Sequence, residues 1–207
     1  MTLRVVVSDL GLGNLRSVER ALVRAAERAE IAVDVSRSTS PDDLRRADKI
    51  VVPGQGGFGA CARALEGGLG EAIGEAIARG TPYFGICLGL QILFASSEEA
   101  EGAAGLGIFA GTVTRIRAPG LKIPHTGWNV VTAAGGTSTL VPRTPTYFYF
   151  VHSFVARPSD PSVVAATTSY GEELVAAVAK DNVFACQFHP EKSQKDGLDL
   201  LARFLSA

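Results

Sequence analysis

Cysteine is scarce in this chain: three in 207 residues, at positions 61, 87 and 186, with no CxxC pair. That scarcity excludes a disulfide framework and a structural zinc site, and predicts a reducing, cytoplasmic setting. Histidine is equally scarce, at positions 125, 152 and 189 only, and none of the three shows ligand spacing. No metal or cofactor is therefore expected. Missing too is any run near the ~18 apolar residues of a membrane span. The opening MTLRVVVSDLG lacks the basic region, apolar stretch and cleavage site of a secretory signal. Neither charge sign dominates; a formal net charge of −1 provides no global field for nucleic acid or an anionic membrane. Repeats and low-complexity linkers are absent. What is present is a 46% hydrophobic, 20% charged composition, which suits one globular domain over residues 1–207.

Hydrophobic periodicity divides the chain in two. The first half alternates strand and helix patterns: strands at 3–10, 31–37, 49–54 and 81–86, helices at 15–29 and 64–80, and a short helix at PDDLRRA. In the first helix Leu15, Val18, Leu22 and Ala25 follow helical spacing, while Arg16, Glu19, Arg20 and Arg24 keep the other face wet. Such alternation predicts an α/β fold with a parallel sheet and right-handed crossovers. After about residue 105 the pattern becomes strand-like pieces separated by turns, GIFAGTVTRI, GWNVV, TYFYFVHSF, SVVAATTSY, LVAAVAKD and VFACQFH, so antiparallel strands should be added to that sheet. QKDGLDLLARFL closes the chain as a helix. Gly11-Leu12-Gly13, between a strand and a helix with Asp34 further on, imitates a dinucleotide fingerprint. Arg16 occupies the third glycine position, and a plain strand-to-helix turn is the better reading.

The chemistry concentrates in two short stretches. Gly85-Ile86-Cys87-Leu88-Gly89 follows a strand and precedes the apolar helical stretch LGLQILFAS. Glycines on both sides of a central nucleophile permit a sharp turn that exposes its side chain above a sheet. A helix N-terminus there favours thiolate over thiol, and the N–H of Leu88 is placed to stabilise an oxyanion. Taken alone, the pentapeptide suits a buried, inert cysteine equally well. The second stretch breaks the tie. His189 ends the apolar strand VFACQFH, and Pro190 favours extended backbone before it. Residues i and i+2 then project together, so Glu191 can orient the His189 imidazole and stabilise its cation. VVPGQGGFG, at the end of the third strand, offers backbone N–H groups as a second oxyanion donor.

PGQGGFG, GICLGLQ and FHPE together resemble the class I, triad-type glutamine amidotransferases. GNLRSV, PHTGWN, YFVHSF and HPEKSQ narrow the resemblance to the glutaminase subunits of imidazole glycerol phosphate synthases, and it runs from the first strand to the last helix. It implies a three-layer, flavodoxin-like α/β fold and a catalytic triad of Cys87, His189 and Glu191. It implies an oxyanion hole from Leu88 with Gln55 or Gly56, and glutamine binding by Gln91, Glu99 and the backbone around Ser153 and Phe154. It places Asn14, Lys122, Trp128, Tyr149 and Lys192 toward a partner and the path of ammonia. That partner would be a cyclase subunit resembling a (β/α)8 barrel, which converts PRFAR to imidazole glycerol phosphate and AICAR in histidine biosynthesis. The resemblance also implies a heterodimer with weak glutaminase activity in isolation. Gln55 stands where the family more often has a small aliphatic residue, and Phe154 replaces a frequent tyrosine. The residues leave open a hydrolase acting on a γ-glutamyl or peptide bond, the glutaminase of another synthase, and a catalytically silent scaffold subunit.

Overall fold

The computed structural model describes residues 2–135 and 138–207. In chain order it forms β1 (Leu3–Ser8), α1 (Leu15–Arg28), β2 (Val33–Ser38), α2 (Pro41–Arg45), β3 (Lys49–Gly54), α3 (Phe58–Ala64), α4 (Leu69–Ala78), β4 (Tyr83–Cys87) and α5 (Leu88–Gln91). There follow β5 (Gly111–Arg115), β6 (His125–Ala133), β7 (Thr146–His152), β8 (Phe154–Pro158), β9 (Val164–Ser169), β10 (Glu173–Lys180), β11 (Val183–Cys186) and α6 (Gln194–Ser206).

Nine strands make one sheet in the order β2-β1-β3-β4-β11-β10-β9-β6-β7. From β2 to β11 the pairing is parallel; beyond β11 it is antiparallel. β5 and β8 form a separate two-stranded ribbon. The doubly wound first half and the antiparallel second half both match the expectation from periodicity.

The central parallel strands β1, β3 and β4 are largely apolar because both of their faces are covered, whereas the edge strand β2 (VDVSRS) is polar and has no buried residue. Along β1, Val5 and Val7 face one core and Val6 the other; Val51 opposes Ile50 and Val52 in β3, and Phe84 and Ile86 oppose Tyr83 in β4. The first core is closed by α1 and α6, through Leu15, Val18, Leu22, Leu201 and Phe204. The second is closed by α2, α3, α4 and α5, through Leu44, Phe58, Ile73 and Leu90. The Gly11–Gly13 segment is a turn, and Asn14 caps α1 by accepting a hydrogen bond from the Ser17 N–H.

Three expected elements are differently built. The helix predicted over 64–80 is α4 alone and starts only at Leu69, because Gly67 and Gly68 both adopt left-handed backbone (φ 71° and 95°); α3, just before that span, was not expected. The helix expected over LGLQILFAS is the single turn α5. Beyond it, amides from a later segment claim carbonyls a longer helix would use: Leu106 N–H donates to Ile92 O, Phe109 N–H to Leu93 O and Gly105 N–H to Ala95 O. TYFYFVHSF is divided at Ser153 between β7 in the large sheet and β8 in the ribbon.

Candidate active site

The open end of the parallel sheet brings three segments together. Adjacent strands β3, β4 and β11 run in the same direction, so the Gln55–Gly56 loop, Cys87 and the segment leading to His189 all emerge at their carboxyl ends. Open α/β sheets bind ligands at this edge.

Cys87 sits at a sharp corner with φ 55° and ψ −103°, a region that a residue with a side chain seldom occupies. Its neighbours make the corner possible. A Cβ at Gly85 would collide with the Gly89 carbonyl, and one at Gly89 with the Val52 carbonyl. The two glycines thus let β4, the first turn of α5 and β3 lie against one another. Tyr83, wholly buried, donates its hydroxyl to Gly89 O at 2.7 Å and ties the turn back to the sheet. Since α5 is only four residues long, its dipole contributes little beside the charged partner facing the sulfur.

That partner is His189. Its backbone is extended (φ −106°, ψ 95°), as the following proline requires. Its N–H donates to Tyr149 O at 2.8 Å, and its carbonyl accepts the buried Ser193 hydroxyl at 2.6 Å. These bonds pin the imidazole segment to β7. Nδ1 of His189 meets Glu191 Oε1 at 2.8 Å, with both side chains at 4% exposure or less. Nε2 is buried without a hydrogen-bond partner among the described residues. Burial opposes a charge on this ring, but the Cys87 sulfur and the Glu191 carboxylate outweigh it and raise the pKa to about 9.

The sulfur faces a cavity of about 410 Å³ lined by Gln55, Gly56, Leu88, Gln91, Glu99, Tyr149, Ser153, Phe154 and Lys192, among others. The N–H groups of Gln55 and Gly56 make no hydrogen bond among the described residues and are free to donate. Gln91 spends both amide hydrogens on Phe154 O (3.1 Å) and Gln187 Oε1 (3.0 Å), leaving its oxygen for a ligand. One carboxylate oxygen of Glu99 accepts the Phe58 N–H at 2.6 Å, which fastens the glycine loop to the cavity wall. The Ser153 carbonyl is already taken by the Ile116 N–H.

Of the residues expected toward a partner, Trp128 and Tyr149 pair across β6 and β7 with rings edge to face, and Lys192 lies over the Tyr149 ring. Asn14 borders a small crevice shared with Gln55, His189 and Glu191. Lys122 is exposed in the loop before β6 and is not part of the cavity lining. Among the described residues no group of three or more His, Cys, Asp or Glu side chains could hold a metal ion.

A model of the family described as glutamine amidotransferase class-I matches residues 10–207. The chain is 44% identical over 205 residues to imidazole glycerol phosphate synthase subunit HisH of Rhodopirellula baltica, covering 98% of this chain and 97% of that one. Against the same-named subunit of Thermosynechococcus vestitus the identity is 47%, over 98% and 96% of the two chains. The chain belongs to the class-I glutamine amidotransferases, in the HisH family. A crystal structure of a glutamine amidotransferase superposes on this amidotransferase with a TM-score of 0.74 at 21% identity, covering 98% of this chain and 99% of the other. A structure of PurLQS from Thermotoga maritima gives 0.70 at 19%, over 100% and 99%. At those identities the likeness concerns the fold alone.

One residue of this amidotransferase's site was not singled out from the sequence. Gln187 is fully buried and donates from Nε2 to Cys87 Sγ at 3.5 Å. Cys186 and Phe188 belong to the first core, so the alternation of VFACQFH puts Gln187 and His189 together on the other side of the chain.

Proposed function

We propose that the protein hydrolyses the side-chain amide of L-glutamine and hands the ammonia to a synthase subunit acting in histidine biosynthesis. The observation that carries this reading is the Glu191–His189 pair beside a strained Cys87 at one wall of a cavity. In the first half-reaction the Cys87 thiolate attacks the carboxamide carbon. Backbone N–H groups of Leu88 and of Gln55 or Gly56 receive the charge that develops on oxygen. His189 then transfers its Nε2 proton to the departing ammonia, and the amide C–N bond breaks to leave a glutamyl thioester. In the second half-reaction the neutral imidazole takes a proton from water, the hydroxide attacks the thioester, and glutamate leaves as the thiolate is restored. Gln91, Glu99, Ser153 and Phe154 are assigned to glutamine. No cofactor enters this scheme.

Ammonia is mostly protonated at neutral pH and must be delivered dry. The exposed Trp128, with Tyr149 and Lys192 beside the cavity mouth, supports a docked partner there. Asn14 and Lys122 are assigned to the same face. The partner in this reading is a cyclase subunit of (β/α)8 barrel type that converts PRFAR to imidazole glycerol phosphate and AICAR, the two chains forming a cytoplasmic heterodimer. The test is glutamate release from glutamine by the purified chain, alone and with the synthase subunit and PRFAR. Weak turnover alone and strong stimulation by the liganded complex are expected. Equal turnover in both conditions overturns the coupling, and none in either overturns the activity.

A further inference from the structure

A continuous file of hydrogen bonds runs from β6 to the nucleophile, and chemistry allows it only one direction. Phe154 O can only accept, so His152 Nδ1, at 2.9 Å, carries a proton and donates to it. A neutral His152 then has an accepting Nε2, which requires His125 Nδ1, at 2.9 Å, to be the donor. His125 Nε2 must accept in turn, and it does so from Asn129 Nδ2 at 3.2 Å. Neutrality of both rings agrees with their burial, which lowers His125 to about 4 and His152 to about 3. On the other side of the same carbonyl, Gln91 Nε2 donates to Phe154 O and to Gln187 Oε1. With its oxygen engaged there, Gln187 has only its NH₂ to present to Cys87. The usual ambiguity of an amide flip is removed by the neighbours.

We propose that Gln187 is a positioning residue of the amidotransferase reaction: its side-chain N–H, oriented by the Asn129–His125–His152–Phe154–Gln91 file, holds the Cys87 thiolate by a charge-assisted hydrogen bond. This deepens the glutaminase reading and rests on it for its role in turnover. Being wholly buried, Gln187 cannot turn its amide to water, and the thiolate gains a fixed donor on a different atom from His189. The donor is present before substrate arrives.

The test uses the whole chain and iodoacetamide, with modification of Cys87 followed by peptide mass spectrometry. The other two cysteines are fully buried, and burial raises both their thiols, Cys61 to about 12. In Gln187→Met, which keeps the length and loses the donor, alkylation at pH 7 should slow about 10-fold, and the deficit should shrink toward wild type as the pH is raised. Gln187→Glu, which presents an oxygen to the sulfur, should slow it further. kcat for glutamine should fall in parallel, with KM changed less than kcat. If neither variant folds, Gln91→Met removes the orienting donor from outside and should slow alkylation at pH 7 in the same sense. Alkylation unchanged at pH 7, or slowed equally at every pH, overturns the proposal. Absence of glutaminase activity in the wild type would refute the function and leave the alkylation comparison intact.

Discussion

His189 and His152 are both almost wholly buried, yet their ionisation is pushed in opposite directions. Burial works against a charge on each ring. At His189 the Cys87 sulfur and a carboxylate reverse that effect and raise its pKa to about 9. His152 meets a backbone carbonyl and another histidine, neither of which supplies negative charge, so burial prevails and its pKa falls to about 3. Residue type and depth are therefore poor guides to a histidine's task. The charge of what faces it decides whether it is poised to move a proton or only to hold one in place.

The largest expected effect removes an anion's reason to be there: Cys87→Ala should abolish glutaminase activity by roughly 10⁴-fold or more, measured as glutamate release with the synthase partner present. Activity within tenfold of wild type would break the comparison outright. Substituting the other anion, Glu191→Gln, should cut kcat roughly 10²–10³-fold. It should also draw the alkaline limb of the pH–rate profile down from about 9, because the neutral amide no longer favours the imidazolium. An unmoved alkaline limb would show that His189 owes its charge to something else. The raised pKa has a stability counterpart: the pair's contribution is complete below the ordinary histidine value of 6.5 and is lost as pH rises through about 9.

Geometry at the corner gives the next effect. Gly89→Ala should destabilise the fold by about 3 kcal/mol in urea denaturation, since its Cβ would meet the Val52 carbonyl. Wild-type stability would mean the corner is not held as tightly as the packing indicates.

The effect of the neutral histidines is absent at neutral pH and is confined to acid. Their lowered pKa values mean that the unfolded chain binds more protons than the folded one between pH 6.5 and about 3–4, so stability should fall as pH falls through that window. The loss is at most about 1.4 kcal/mol per pH unit per histidine. His152→Phe should flatten the acid limb of thermal stability measured by circular dichroism, and an unchanged slope would argue that His152 is not held neutral.

Much of this site can be read along the chain. The Gly85-Ile86-Cys87-Leu88-Gly89 corner requires only that a strand be followed by a tight turn. His189 and Glu191 stand two residues apart, so their pairing is local, although the backbone that joins them is a 3-10 turn over Pro190–Lys192 where extended chain was expected. The length of α5 could not be read in the same way: LGLQILFAS is a good helix pattern, and carbonyls in it are diverted by amides of residues 105–109, which only the fold brings near. The twin glycines at 67 and 68 had a local signature, but they delay the start of α4 instead of loosening a helix that runs through them.

By itself the sequence determined the alternation of strand and helix, the corner at Cys87 and the orientation of Glu191 toward His189, because each depends on residues within a few positions of one another. Only the tertiary structure decided that Gln91, Phe154 and Gln187, separated by up to 96 residues, share one file of hydrogen bonds, and that one histidine is charged while two are neutral. Electrostatic environment is a sum over neighbours in space, and the order of residues along a chain does not contain that sum until the sheet has closed around them.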